Sequence, residues 1–96
     1  MKTINTSGKR KRAIARASLK EGKGVIRINS KLLEHYQPLL SKLKIMEPLM
    51  LAPELSKKVD INVKVNGGGF QSQTEATRLA IARALVIFSK DKSLRQ

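Results

Sequence analysis

The sequence contains no cysteine, no tryptophan, one histidine, one tyrosine and two phenylalanines. Without thiols there is neither a disulfide framework nor a thiolate metal site. A single imidazole, His35, leaves no histidine cluster to hold a metal. No apolar run approaches the roughly 20 residues of a membrane-spanning helix, and Met1 to Arg12 lacks the apolar centre of a signal peptide. A soluble intracellular chain is the default expectation. Tyr36, Phe70 and Phe88 are the whole aromatic supply, whereas modules that bind unpaired bases usually present several aromatic faces for stacking. Acids are scarce too: 7 Asp and Glu stand against 20 Lys and Arg, which leaves +13 on 96 residues.

That excess is the informative number. It opposes compaction by self-repulsion and suits a polyanionic partner. Nucleic acid is the first candidate and an anionic membrane surface the second. Membrane binding calls for a basic amphipathic helix with bulky apolar residues opposite. The best helix here carries only Arg78 and Arg83 in its middle. Nucleic acid is therefore favoured over a membrane, with phosphate contact and shape outweighing the reading of bases. The length fits one domain, residues 1–96, large enough for a core without covalent staples.

The chain is organised around Val59 to Phe88. Val59, Ile61, Val63 and Val65 alternate with Asp60, Asn62, Lys64 and Asn66, the period of a half-buried strand. Gly67, Gly68 and Gly69 end it, because a residue without Cβ tolerates the positive φ of a sharp turn. Ser72 and Glu75 then have the spacing of a capping box. Gln73 to Phe88 is rich in Ala, Leu, Ile and Arg without Pro or Gly, and reads as a helix. It is apolar almost all round, so it requires cover on more than one side. That cover comes either from an element outside this chain or from an intermolecular contact.

Ahead of this unit, residues 1–8 have no strong pattern and read as a flexible arm. From Arg12 to Lys20, Ala13, Ala15, Ala17 and Leu19 alternate with a largely basic set, a strand in which Ile14 is the misfit. Glu21-Gly22-Lys23-Gly24 is turn chemistry, and Val25 to Asn29 is a second strand, so the two are expected to pair as a hairpin. Ser30 is placed to cap a short helix over Lys31 to Gln37, stopped by Pro38. Leu39 to Ile45 adds a helical turn or two, and Glu47-Pro48 opens a further segment with proline at its first position. Leu32 to Leu55 is expected to supply much of the apolar mass, with Met46 and Met50 as core filler. The element order is β-β-α-β-α and the class α+β.

Lys9, Arg10, Lys11 and Arg12, with Arg16 continuing the stripe along the strand, form the clearest functional feature. Arginine suits phosphate because its planar fork donates two parallel hydrogen bonds. If six or more phosphates are neutralised, affinity drops by roughly three orders of magnitude between about 50 and 200 mM salt. Gly67, Gly68 and Gly69 before a helix start offer bare amides and a positive dipole end to a phosphate. A tight turn whose amides Glu75 already satisfies explains them equally well. Neither a Walker pattern nor a GxGxxG is present. Arg78 lies about one and a half turns into the helix after the glycines. It reads either as an RNA contact or as a paired arginine at the core margin; Arg83 has the weaker case for RNA. The acids are scattered, and phosphoryl transfer requires some to hold magnesium and a base to position the nucleophile. His35 reads as an exposed helix residue. No catalytic residue, metal ligand or cofactor is expected.

Three stretches in order, GKRKRAIARASLKEGKGVIRIN, KLKIMEPLMLA and VDINVKVNGGGFQSQTEATRLAIARAL, resemble small-subunit ribosomal protein S-nine, in a form similar to the archaeal type. The resemblance runs from Gly8 to about Gln96. It implies a two-layer sandwich of helices on a small mixed sheet, like the second domain of ribosomal protein S-five. That group includes a left-handed βαβ crossover, against the usual right-handed rule. It also implies a non-enzymatic constituent of the small-subunit head in the cytoplasmic ribosome, bound to rRNA and beside other head proteins. The family's basic motif falls on Lys9, Arg10, Lys11, Arg12 and Arg16, and its glycine turn on Gly67, Gly68, Gly69 and Gln73; these would face rRNA. Members continue past this helix with a helix, a strand and a basic tail that reaches tRNA, so tRNA contact belongs to that tail. Two alternatives from other classes are a phosphotransferase-like enzyme using the Gly67 to Gly69 turn, and a regulator that docks a partner on the apolar helix.

Overall fold

The computed structural model describes residues 3–36 and 38–95, with side chains up to Lys90. Five strands form one mixed sheet: β1 (Ile4–Arg10), β2 (Ala13–Glu21), β3 (Ile26–Ile28), β4 (Lys31–Leu32) and β5 (Val59–Asn66). A single 3-10 turn, Leu33–His35, follows β4. Among the described residues there are three helices: α1 (Leu39–Leu51), the one-turn α2 (Pro53–Ser56) and α3 (Phe70–Arg95). The order across the sheet is β1-β2-β5-β3-β4. β3 and β5 are parallel neighbours joined through α1 and α2, and the other pairings are antiparallel. The class is α+β, with helices on one face of the sheet.

Small residues explain why α3 lies so close to the strands. Ala13, Ala15 and Ala17 on β2 and Ala76, Ala80 and Ala84 on α3 are all almost fully buried. On α3 they recur every four residues, which keeps them on one face. A Cβ on Gly8 would collide with the Ala76 carbonyl oxygen, so β1 can lean on the helix only with glycine there. The Thr6 hydroxyl reaches the helix backbone itself, donating to the Ala80 carbonyl at 2.8 Å. Larger residues fill the far side of the layer: Leu19, Ile28, Ile45, Ile61 and Ile81 are fully buried. Each is worth roughly 1.5–3 kcal/mol in apolar surface removed from water.

Several expectations are corrected. The segment read as an arm is β1 from Ile4 onward; Met1 and Lys2 lie outside the described residues. β1 is part of the cover that the apolar helix called for. β2 and β3 do not form a hairpin, because β5 lies between them and pairs with both. Asn29 extends β3: its side-chain Oδ1 accepts from the Val65 N–H at 3.0 Å, and its backbone N–H donates to the Val63 carbonyl at 2.8 Å. Ser30 caps no helix: it has a φ of +71° and leads into β4 and the 3-10 turn. Gln37, expected at that helix's end, lies outside the described residues.

The two pieces expected on either side of Pro48 are one helix, with Pro48 inside it. The missing N–H frees the carbonyl of Lys44, an exposed residue, so water can take its place. α1 contributes less to the core than its composition suggests. It buries the stripe Ser41, Ile45 and Leu49, one face against α3, while Leu40, Met50 and Leu51 are mostly exposed. Met46 is packed against the core; Met50 is not core filler.

Candidate nucleic-acid interface

The basic run is built as a hairpin tip. Lys9 and Arg10 end β1, Lys11 and Arg12 make the two-residue connection, and the Arg10–Ala13 pair closes it. Lys11 supports the reversal with a φ of +55°. All four side chains are exposed, as is that of Arg16. The glycine turn packs directly against this tip. Gly67 and Gly68 have φ of +80° and +67°, and a Cβ on Gly67 would lie 2.5 Å from the Arg12 carbonyl oxygen. The basic turn and the glycine turn, more than fifty residues apart in sequence, are therefore one corner of the molecule.

The start of α3 differs from the capping-box expectation. Its first turn begins at Phe70, and the Gln73 amide donates to the Gly69 carbonyl at 2.9 Å. Gly69 is thus the cap, and it has no side chain to offer. Ser72 sits inside the first turn, and Glu75 is paired elsewhere, so the turn's amides are not satisfied by that carboxylate. The Gln73 side chain does lock the turn, donating from Nε2 to the Gly67 carbonyl at 3.1 Å. Nothing lies within 4 Å of a Cβ placed on Gly69, so the backbone there is open to an approaching group.

Arg78 stands apart from this corner's free cations. Its guanidinium lies 2.9 Å from Glu75 and 3.3 Å from Glu47, tying α3 to α1. Lys44 adds a looser 4.0 Å contact to Glu75. Of the two readings of Arg78, the structure displays the ion-paired one. Arg83 donates to the Ser7 carbonyl at 2.8 Å and so ties the edge strand to α3. His35 is exposed, as expected, but on the 3-10 turn, 3.8 Å from Glu34.

Sequence reading found the basic face of β2 but missed its continuation across β5 and β3. Register places Ser7, Arg16 and Lys64 in one row across β1, β2 and β5, and Asn5, Ser18, Asn62 and Arg27 in the next, reaching β3. Their helix-side neighbours are the buried Ala15, Ala17, Val63, Val65, Ile26 and Ile28, so this face points away from α3. Adjacent strands lie about 4.8 Å apart, which crowds Arg16 against Lys64. Like charges directly opposite one another are destabilising in a free sheet; a polyanion lying over them removes the cost. Alternation along β5 was legible, but single cations within a strand carry no local signal, and only the register brings them together.

Asp60 is the acid on this side, and it is occupied. Its Oδ1 accepts from the Lys23 and Val25 amides at 3.0 Å each. The Val25 amide, then that of Lys23, hold its carboxyl below the usual aspartate range. The lowered pKa keeps it ionised, opposite Lys20 in the ladder, so it offsets the charge at that end of the face and not at the Arg16–Lys64 row.

A family model described as Ribosomal protein S9/S16 matches residues 8–96. The chain belongs to the ribosomal protein S9/S16 family. Two relatives, each named Small ribosomal subunit protein uS9, come from the archaea Methanothrix thermoacetophila and Methanococcus maripaludis. Each is 48% identical over all 96 residues, which span 73% and 72% of those proteins. As an S9/S16 member the chain is a structural ribosomal protein, not an enzyme. The phosphotransferase alternative built on the glycine turn is set aside.

Proposed function

We propose that this chain is a constituent of the small ribosomal subunit and holds small-subunit rRNA through one continuous basic surface. The surface comprises the Lys9 to Arg12 tip, the Gly67 to Gly69 turn with Gln73, and the sheet face carrying Arg16. The observation that carries this is the packing of Gly67 on Arg12, which joins the two expected motifs in one corner. Arginine forks and bare turn amides are complementary to phosphate oxygens. A site in the subunit head, beside other head proteins of the cytoplasmic ribosome, is part of the same reading. Contact with tRNA is assigned to no residue of this chain, and Arg78 is the weakest member of the proposed set because two carboxylates already hold it.

The test is binding to an rRNA fragment of the small-subunit head against an unrelated duplex, across a salt series. A preference for the head fragment that persists at higher salt supports the reading. Equal binding to both, disappearing together as salt rises, would reduce the chain to a polycation and sink it.

A further inference from the structure

Two of the three aromatic side chains converge beside the glycine turn. Phe70 is the first residue of α3 and is 47% exposed. Tyr36 ends the 3-10 turn and is partly buried against the core. Together with Lys31 and Gln73 they line a hollow of about 300 Å³. The same two rings, with Lys42, His35 and Glu34 among others, line a second, more open hollow of about 780 Å³. Scarcity of aromatics argued against a stacking platform, but it does not argue against a single niche.

We infer that this cleft takes one unpaired nucleotide of a bound RNA, its base stacked on Phe70 and Tyr36. Lys31 in the smaller hollow and Lys42 in the larger supply cations for the nucleotide's phosphates. Lys42 also donates to the Glu34 carbonyl at 3.1 Å, and Glu34 lines the larger hollow, while among the described residues no carboxylate lines the smaller one. Gln73 uses its Nε2 on the Gly67 carbonyl, which leaves Oε1 as an acceptor in the lining for an amino group of the base. A half-exposed phenylalanine at a helix start, with a lysine in each adjoining hollow on a chain of +13, matches an anionic polymer that carries flat rings. An acidic peptide would satisfy the lysines but leave the rings unstacked. The inference rests on the RNA-binding reading and adds to it a nucleotide-sized contact at the edge of the phosphate surface, where Gln73 belongs to both.

Tyr36 is the only tyrosine and tryptophan is absent, so tyrosine emission reports on this cleft alone. The full chain is titrated, with absorbance correction, with an RNA hairpin bearing a single-stranded loop and with a blunt RNA duplex of equal phosphate number. Emission should fall saturably with the hairpin and stay level with the duplex. Phe70→Ala should raise the Kd for the hairpin about fivefold or more, the low end for a base–aromatic stack, and leave the duplex Kd unchanged. Phe70→Leu keeps apolar bulk at a half-exposed position yet should show the same loss. Equal emission changes with both RNAs, or wild-type hairpin affinity in both variants, would overturn the niche while leaving the phosphate surface standing. Failure of the wild-type chain to bind either RNA would overturn the RNA-binding reading and the niche with it.

Discussion

Arg16 on β2 and Lys64 on β5 are direct partners across the antiparallel ladder, two cations side by side on an uncovered sheet face. The free protein bears this repulsion, and bound phosphate relieves it, so removing one charge has opposite effects on folding and binding. Lys64→Thr should raise the urea-unfolding stability of the free chain by about 0.2–1 kcal/mol. It should also weaken RNA binding and flatten the salt slope by roughly one unit for each phosphate that is no longer neutralised. Stability and affinity that fell together would show that Lys64 supports the sheet rather than a ligand.

Gly67 gives a second contrast, this time between neighbouring glycines. Its φ of +80° and the Arg12 carbonyl 2.5 Å from a would-be Cβ both exclude a side chain. Gly67→Ala should cost about 1–3 kcal/mol from backbone strain and shift the Arg12 tip. Gly69 has no positive φ and open space around it, so Gly69→Ala should stay within about 0.5 kcal/mol of wild type. Thermal unfolding of the pair checks this. Equal costs would mean that the turn is restrained elsewhere than at Arg12.

Asp60 predicts the acid limb of stability. Amide bonds from Val25 and then Lys23 lower its pKa in the folded state; burial opposes them, while the Gly24 amide and the Lys20 charge add to the lowering. A lowered folded pKa means that the ionised group stabilises the fold above the unfolded value of about 3.9. That contribution disappears as pH falls through the depressed folded value. Asp60→Asn keeps an acceptor oxygen for the two amides but cannot titrate. Urea midpoints followed downward from pH 5 should fall less steeply in the variant than in wild type. Parallel curves would place the acid sensitivity in another carboxylate.

What was legible follows from which signals are local. The alternation of β5, the glycine break and the alanine-rich helix are local, and each is where it was expected apart from the helix ends: α3 starts at Phe70 and not Gln73, and runs past Phe88 to Arg95. That start is fixed by the Gly69 carbonyl, and a capping box at Ser72 competes for amides the helix has already used. β1 was illegible because its sequence, INTSGKR, is polar and broken by a glycine. Its reasons lie in Thr6 and Gly8 meeting Ala80 and Ala76, contacts more than sixty residues away. The misplaced hairpin has the same origin: adjacency in sequence favoured pairing β2 with β3, but β5 satisfies both strands. Within the candidate interface, the Lys9 to Arg12 run was visible as charge density. Lys64, Arg27 and Asn62 needed the sheet to become one surface.

The core holds one polar group whose removal should help. Thr77 is fully buried, and its Oγ1 has no hydrogen-bond partner among the described residues. A buried hydroxyl without a partner carries a desolvation cost of about 1–3 kcal/mol, while its methyl still packs. Thr77→Val keeps the branched shape and removes that cost, so it should be neutral or stabilising by about 1 kcal/mol. Thr74, one turn earlier, is the internal control. Its hydroxyl lies 3.1 Å from the Ser41 hydroxyl and 3.0 Å from the Phe70 carbonyl. Thr74→Val strands the buried Ser41 and should cost about 1–3 kcal/mol. Denaturant unfolding of the two variants therefore separates in sign, and a matching loss of stability in both would show that the Thr77 hydroxyl has a partner in solution.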